Sequence, residues 1–143
     1  MISIEKNIHI NKPPSDVFAF MVDFANNAKW QDGIINSEKT SAGPMGVGST
    51  GTIVQKFMGK EMKNEISVTA FEPGKRFAAK SVAGPVQFEL DSTFEAMGDG
   101  THLTATMKAE AAGFFKVAEG LLKGELEKNT DRDFAKLKEL LEA

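Results

Sequence analysis

The chain has 143 residues, enough to bury one core within a single domain spanning 1–143. Its net charge is −3 and its lysines are scattered among acids, which leaves no basic footprint for nucleic acid. Cysteine is absent, removing disulfides, thiolate nucleophiles and cysteine metal sites in keeping with a reducing cytoplasm, while eleven Phe and seven Met beside one Trp and no Tyr predict a dry, adaptable interior.

Ile2, Ile4, Ile8 and Ile10 alternate with Ser3, Glu5, Asn7 and His9, which predicts a strand over residues 2 to 10 with one face buried. The same stretch lacks the basic region and long apolar run of a signal peptide, and no later stretch is apolar for long enough to span a bilayer. A cytoplasmic protein without membrane insertion is therefore expected. Pro13-Pro14-Ser15-Asp16 stops the strand and opens a helix whose apolar face is Val17, Phe18, Phe20, Met21 and Phe24. A second short helix is predicted from Asp23 to Trp30, ended by Gly33.

Ile34 to Thr40 reads as a strand, and residues 41 to 48 as a loop rich in breakers. Strands over 50 to 58 and 61 to 71 flank Gly59-Lys60, a two-residue loop with Gly where a type II′ turn needs it. Glu72-Pro73-Gly74-Lys75 has the Pro-Gly order of a type II turn, and Arg76 to Val82 is the next strand. Val86, Phe88, Leu90, Ser92 and Phe94 alternate with polar residues, and after Gly98-Asp99-Gly100 the last strand alternates through Leu103, Ala105, Met107 and Ala109. From Phe114 to Glu142 apolar residues recur in steps of three and four at Phe114, Ala118, Leu121, Leu122, Leu126, Phe134, Leu137, Leu140 and Leu141, one stripe along a long helix. Short loops between strands imply an antiparallel meander with one apolar face, and this helix is long enough to cover it.

The order of these elements and several local strings resemble the START/birch-pollen-allergen-like (SRPBCC) superfamily, in its polyketide cyclase/dehydrase and lipid-transport branch. The strings are Ile10 through Phe18, Asp23 through Trp30, Gly43-Pro44 with Val47-Gly48-Ser49, Phe71 through Phe77, and Phe94-Glu95 with Gly98 through Thr101. The resemblance implies an α+β helix-grip fold: a seven-stranded curved antiparallel sheet around a long C-terminal helix, with two short helices between strands 1 and 2 and an apolar cavity inside. Its members include ligand carriers, aromatase/cyclases, quinone-binding proteins and chaperone co-activators, so function transfers as a class.

Gly46 through Gly51 matches the G-x-G-x-x-G string of dinucleotide sites, but that fingerprint needs a helix starting on it and Thr52 to Gln55 reads as strand. His9 and His102 fall opposite the apolar positions of their strands, and no H-x-x-x-H or paired-carboxylate spacing on one face occurs, so neither a metal site nor a cofactor is expected. Met62, Ile66, Phe88, Leu90 and Met107 are predicted to point at the helix face carrying Ala118, Leu121 and Leu122. Gly120 and Gly124 in that helix each cost about 1 kcal/mol relative to Ala, which close packing or room for a ligand would explain. Asn64, Ser92 and Glu125 or Asn129 interrupt the inward pattern and need polar partners, from the protein or from a ligand's polar end. Glu125 reads equally well as a solvated residue at the helix edge. The resemblance places Trp30 at the rim of the cavity, where its alternative role is to plug the core.

The expected function is binding of a small hydrophobic or lipid-like molecule in a cavity of a few hundred Å³. A cyclase or dehydratase acting by proton transfer is the rival, with Glu125 as its thin catalytic candidate beside Asn64 and Ser92. A surface-acting modulator resembling Hsp90 co-activators is a third reading, and a weak homodimer is compatible with all three.

Overall fold

The computed structural model describes residues 2–57, 59–84, 86–111 and 119–143, with the side chains of 57, 86, 111 and 119–122 outside that description. Seven strands, β1 (Ile2–Ile10), β2 (Ile34–Lys39), β3 (Thr50–Phe57), β4 (Lys60–Glu72), β5 (Arg76–Ala83), β6 (Val86–Met97) and β7 (Gly100–Ala111), form one antiparallel sheet in the order β1-β7-β6-β5-β4-β3-β2. Between β1 and β2 lie α1 (Pro14–Val22), a 3-10 turn (Phe24–Asn26) and α2 (Asn27–Trp30), and α3 (Glu119–Glu142) follows β7. This is the helix-grip arrangement. At 24 residues α3 measures about 36 Å, and it lies along β1 and against α2. Phe114 and Ala118, the first positions of the expected stripe, lie outside the described residues.

Local chemistry sets the joints. Pro14 opens α1, where a missing N–H leaves nothing unpaired, and Asp16 sits in the first turn. Asp23 then turns extended and its carboxylate accepts from the Ala25 N–H at 3.0 Å. The helix expected from Asp23 to Trp30 is consequently a 3-10 turn followed by a single α turn. Gly74, at φ 73°, makes the expected type II turn, with Lys75 N–H donating to Glu72 O at 2.8 Å. The β3–β4 turn falls one residue earlier than Gly59-Lys60: Phe57 already pairs with Lys60 across it.

Two bulges change which side chains face inward. Register shifts between Ile34 and Asn36 in β2 and between Val68 and Ala70 in β4 replace the two-residue step by three. Ser37 is thereby buried in phase with Ile34, and Phe71 joins Val68 on the inner face. Gly51 on β3 lies under the Phe24 ring, with which a Cβ would collide. The Gly there serves packing between strand and turn, and Gly46 through Gly51 leads into a strand, so it lacks the helix of a dinucleotide site.

The interior falls into three clusters. The largest joins β1, α1, β6, β7 and α3 through Ile10, Val17, Phe18, Phe94, Leu103, Phe134 and Leu137. Phe18 meets Phe71, Phe77 and Phe94 edge-on at centroid distances of 5.2, 6.5 and 5.4 Å, the favoured geometry for aromatic quadrupoles. A second cluster holds Ile2, Ile4, Met62 and Ala109, and a third Phe24, Ile34, Ile53, Ile66 and Val68.

Candidate functional site

Where the three clusters face one another they leave a cavity of about 140 Å³ between the sheet and α3. Each contributes to the wall: Ile4 from the second, Phe24, Ile53 and Ile66 from the third, Trp30 and Phe134 from the first. Phe77, Ala79, Leu90, Ser92, Ala105 and Met107 supply the floor from β5, β6 and β7, and Met21 comes from α1. The volume is well below the few hundred Å³ expected. It is close to the engineered cavity of about 150 Å³ that admits benzene.

The polar part of the wall comes from α3 and its neighbours. Along the inward stripe of α3, the positions between Leu126 and Leu137 are held by Thr130, Asp133 and Phe134, and all three line the cavity. Thr130 returns its hydroxyl to Leu126 O at 2.6 Å. Asp133 Oδ1 accepts from Asp32 N–H at 3.2 Å and lies 3.6 Å from Arg132 Nε. Burial pushes the Asp133 carboxyl above the usual carboxylate range, against the lowering effects of the Asp32 N–H and Arg132. Lys6 occupies an inward position of β1 between Ile4 and Ile8 and also lines the cavity, and its Nζ meets Asp131 of α3 at 2.6 Å. Arg132 Nη2 reaches Asp32 at 3.8 Å. One tetrapeptide, Thr130-Asp131-Arg132-Asp133, thus ties α3 to β1 on one side and to the α2–β2 connection on the other.

Trp30 belongs to the first cluster and borders the cavity. It is 7% exposed, stacks on Phe134 at 5.5 Å and 13°, and lines the cavity. Its Nε1 is buried without a partner among the described residues. Asn27, beside it, donates to Ser37 Oγ at 3.0 Å.

Of the residues singled out in the sequence, Trp30, Ile66, Leu90, Ser92 and Met107 come together in this wall. Met62 sits instead in the packed cluster with Ile2, Ile4 and Ala109. Phe88 packs between the second and third clusters. Asn64 is 1% exposed, with both side-chain polar atoms unpartnered among the described residues, but lies against Gly84 away from the cavity. Glu125 is half-buried on α3 and does not line the cavity. Ala118 and the side chains of Leu121 and Leu122 lie outside the described residues. Lys6, Thr130 and Asp133 share the phase of their apolar neighbours, and an apolar pattern alone does not single them out. His9 and His102 pair across β1 and β7, bonded to Asn11 and Asn7. Among the described residues no helix is long and apolar enough to cross a membrane.

No curated protein sequence matches the chain. Its fold is similar to that of a Thermus thermophilus protein at 18% identity and a TM-score of 0.83, covering 96% of this chain and 94% of that one. A START superfamily protein from Mycobacterium smegmatis superposes with a TM-score of 0.82 at 14% identity, covering 98% and 97%. The Zhui aromatase/cyclase of a Streptomyces species gives 0.81 at 16% identity, covering 98% and 93%. The family model described as polyketide cyclase / dehydrase and lipid transport matches residues 1–142, and the chain belongs to that family.

Proposed function

We propose that this protein binds a small, largely apolar molecule of about single-ring size between its sheet and α3. The observation that supports the reading is the cavity of about 140 Å³, walled by side chains from all three apolar clusters with a few polar groups among them. Ligand sites have this composition, an apolar lining with a small number of placed polar groups. A volume of about 140 Å³ favours a small molecule over a long folded polyketide, since pockets that bury larger organic ligands run to about 300 Å³ and beyond. Organic extraction of the freshly purified protein followed by mass spectrometry tests the reading. A small apolar compound should be released, or one should be retained when offered. Failure to retain any apolar additive in native mass spectrometry would end it.

A reaction of the aromatase/cyclase type is the second reading, and Asp133 is the observation that favours it. A carboxyl raised by burial and lining a cavity is suited to proton transfer. Glu125, the candidate offered by the sequence, is not among the residues lining the cavity. Were such a reaction found, Asp133→Asn should abolish it while Glu125→Gln leaves it intact.

A further inference from the structure

We propose that Asp133 selects the ligand, the cavity taking a single-ring molecule whose hydroxyl donates a hydrogen bond to the Asp133 carboxylate. This rests on the cavity-binding reading and adds to it the ligand's polar group.

The geometry begins with a shared wall. A second pocket of about 120 Å³ lies outside the cavity, lined by Gly33, Ile34 and Gln55 among others, and Gln31, Met107, Thr130 and Asp133 line both spaces. Asp133 therefore stands where a ligand's buried ring would end and its outer substituent begin. Its carboxylate is held in place through one oxygen: Oδ1 takes the Asp32 N–H at 3.2 Å and faces Arg132 Nε at 3.6 Å. Oδ2 receives no hydrogen bond or ion pair among the described residues. A carboxylate has about four acceptor sites, and a largely buried one short of donors is costly until a donor arrives. Burial already pushes this carboxyl upward, in keeping with such a shortage.

The other polar groups narrow the class. Lys6 would be the attraction for an anionic ligand, but its ammonium is already 2.6 Å from Asp131. Arg132 is shared between Asp32 and Asp133. An anion entering here would meet Asp133 with no cation left to itself among the described residues of the wall. An ammonium would be attracted to Asp133, yet it must surrender a tightly held hydration shell to a space of about 140 Å³ that one ring fills. A hydroxyl keeps the donor at a small fraction of that desolvation cost.

Titration calorimetry of the full chain with toluene, phenol, benzoate and benzylamine tests this, since the four share one ring and differ in the polar group. Phenol should bind more tightly than toluene, although toluene is the more apolar, and more tightly than either ion. Asp133→Leu, of similar shape but with no acceptor, should weaken phenol binding by roughly tenfold and leave toluene unchanged or tighter. In Asp133→Asn the one remaining oxygen stays with the Asp32 N–H and the amide turns a donor toward the ligand, so phenol should bind more weakly than to the unmodified protein. Toluene equal to phenol in the unmodified protein, benzoate or benzylamine tighter than phenol, or equal losses of phenol and toluene in Asp133→Leu would each overturn the assignment. The ranking in the unmodified protein decides the matter alone if Asp133→Leu fails to fold. Binding of none of the four would overturn the cavity reading itself, and this assignment with it.

Discussion

The two ends of the interior share one sheet and one helix, yet one end is filled and the other is hollow. At the filled end α1 inserts Phe18 among Phe71, Phe77 and Phe94, and α3 supplies Leu137, with Ile10, Leu103 and Leu137 at 0% exposure. About two turns back along α3 the inward positions become Thr130 and Asp133, and the opposing strand offers Lys6. Polar side chains held by their own partners cannot collapse onto an apolar floor, so space remains above Leu90, Ala105 and Met107. A cavity here needs no unusual backbone. It follows from changing the chemistry of one helix face while the sheet stays the same.

The sharpest way to break this contrast is Phe18→Ala. At a filled site the loss should be about 3 to 5 kcal/mol, read from urea denaturation. A loss below about 1 kcal/mol would mean the first cluster is as loose as the cavity wall. At the hollow end Trp30→Phe should leave the domain folded and weaken toluene binding by roughly 0.5 to 1.5 kcal/mol, through lost stacking area against Phe134. As the chain has one Trp and no Tyr, its emission should shift saturably with toluene in the unmodified protein. An unresponsive emission would make Trp30 part of the filled region.

Gly124→Ala separates the two explanations offered for glycine in the helix. A Cβ at Gly124 meets nothing within 4 Å, so close packing is not the reason for it, and the variant should gain roughly 0.5 to 1 kcal/mol in denaturation. A loss would show that the position is crowded. The smallest effect is the pH dependence carried by Asp133. Its folded pKa lies above the unfolded one, so folding favours the protonated form. The stabilising contribution is present below the ordinary aspartate range and is lost as pH rises through the raised value. Relative to the parent, Asp133→Asn should therefore gain stability as pH rises above the ordinary aspartate range, and a flat difference there would place Asp133 in solvent.

Period-two alternation carried most of the sheet, because β1, β6 and β7 run without a register shift and each inward residue follows from the one before. The bulges in β2 and β4 carry no such mark in the sequence, and so the inward turn of Ser37 and Phe71 was hidden. The cavity wall was half legible for a different reason. Leu90, Ser92, Ile66 and Met107 follow from strand phase, whereas Lys6, Thr130 and Asp133 sit in phase with apolar residues but were passed over as polar. Steps of four, three and four from Leu126 reach Thr130, Asp133 and Leu137, so the signal was available to a reading that followed phase before chemistry. Asn64 was legible as inward. Its place against Gly84 depends on how β4 meets the end of β5, which no local pattern encodes.

The pairing of β1 with β7 also has a meaning for how the chain is made. Ile2 lies opposite Ala109, so β1, translated before the other six strands of the sheet, acquires its hydrogen-bonded neighbour only after more than a hundred further residues have been translated. Until then β2 to β6 can zip hairpin by hairpin, while Ile2, Ile4, Ile8 and Ile10 remain an unmatched apolar edge. Closing so large a loop is slow relative to local pairing, and an exposed strand of this kind is open to capture by another chain. Lys6, set with Glu5 among those isoleucines, keeps the waiting edge polar during synthesis, before Asp131 of α3 exists to pair with it.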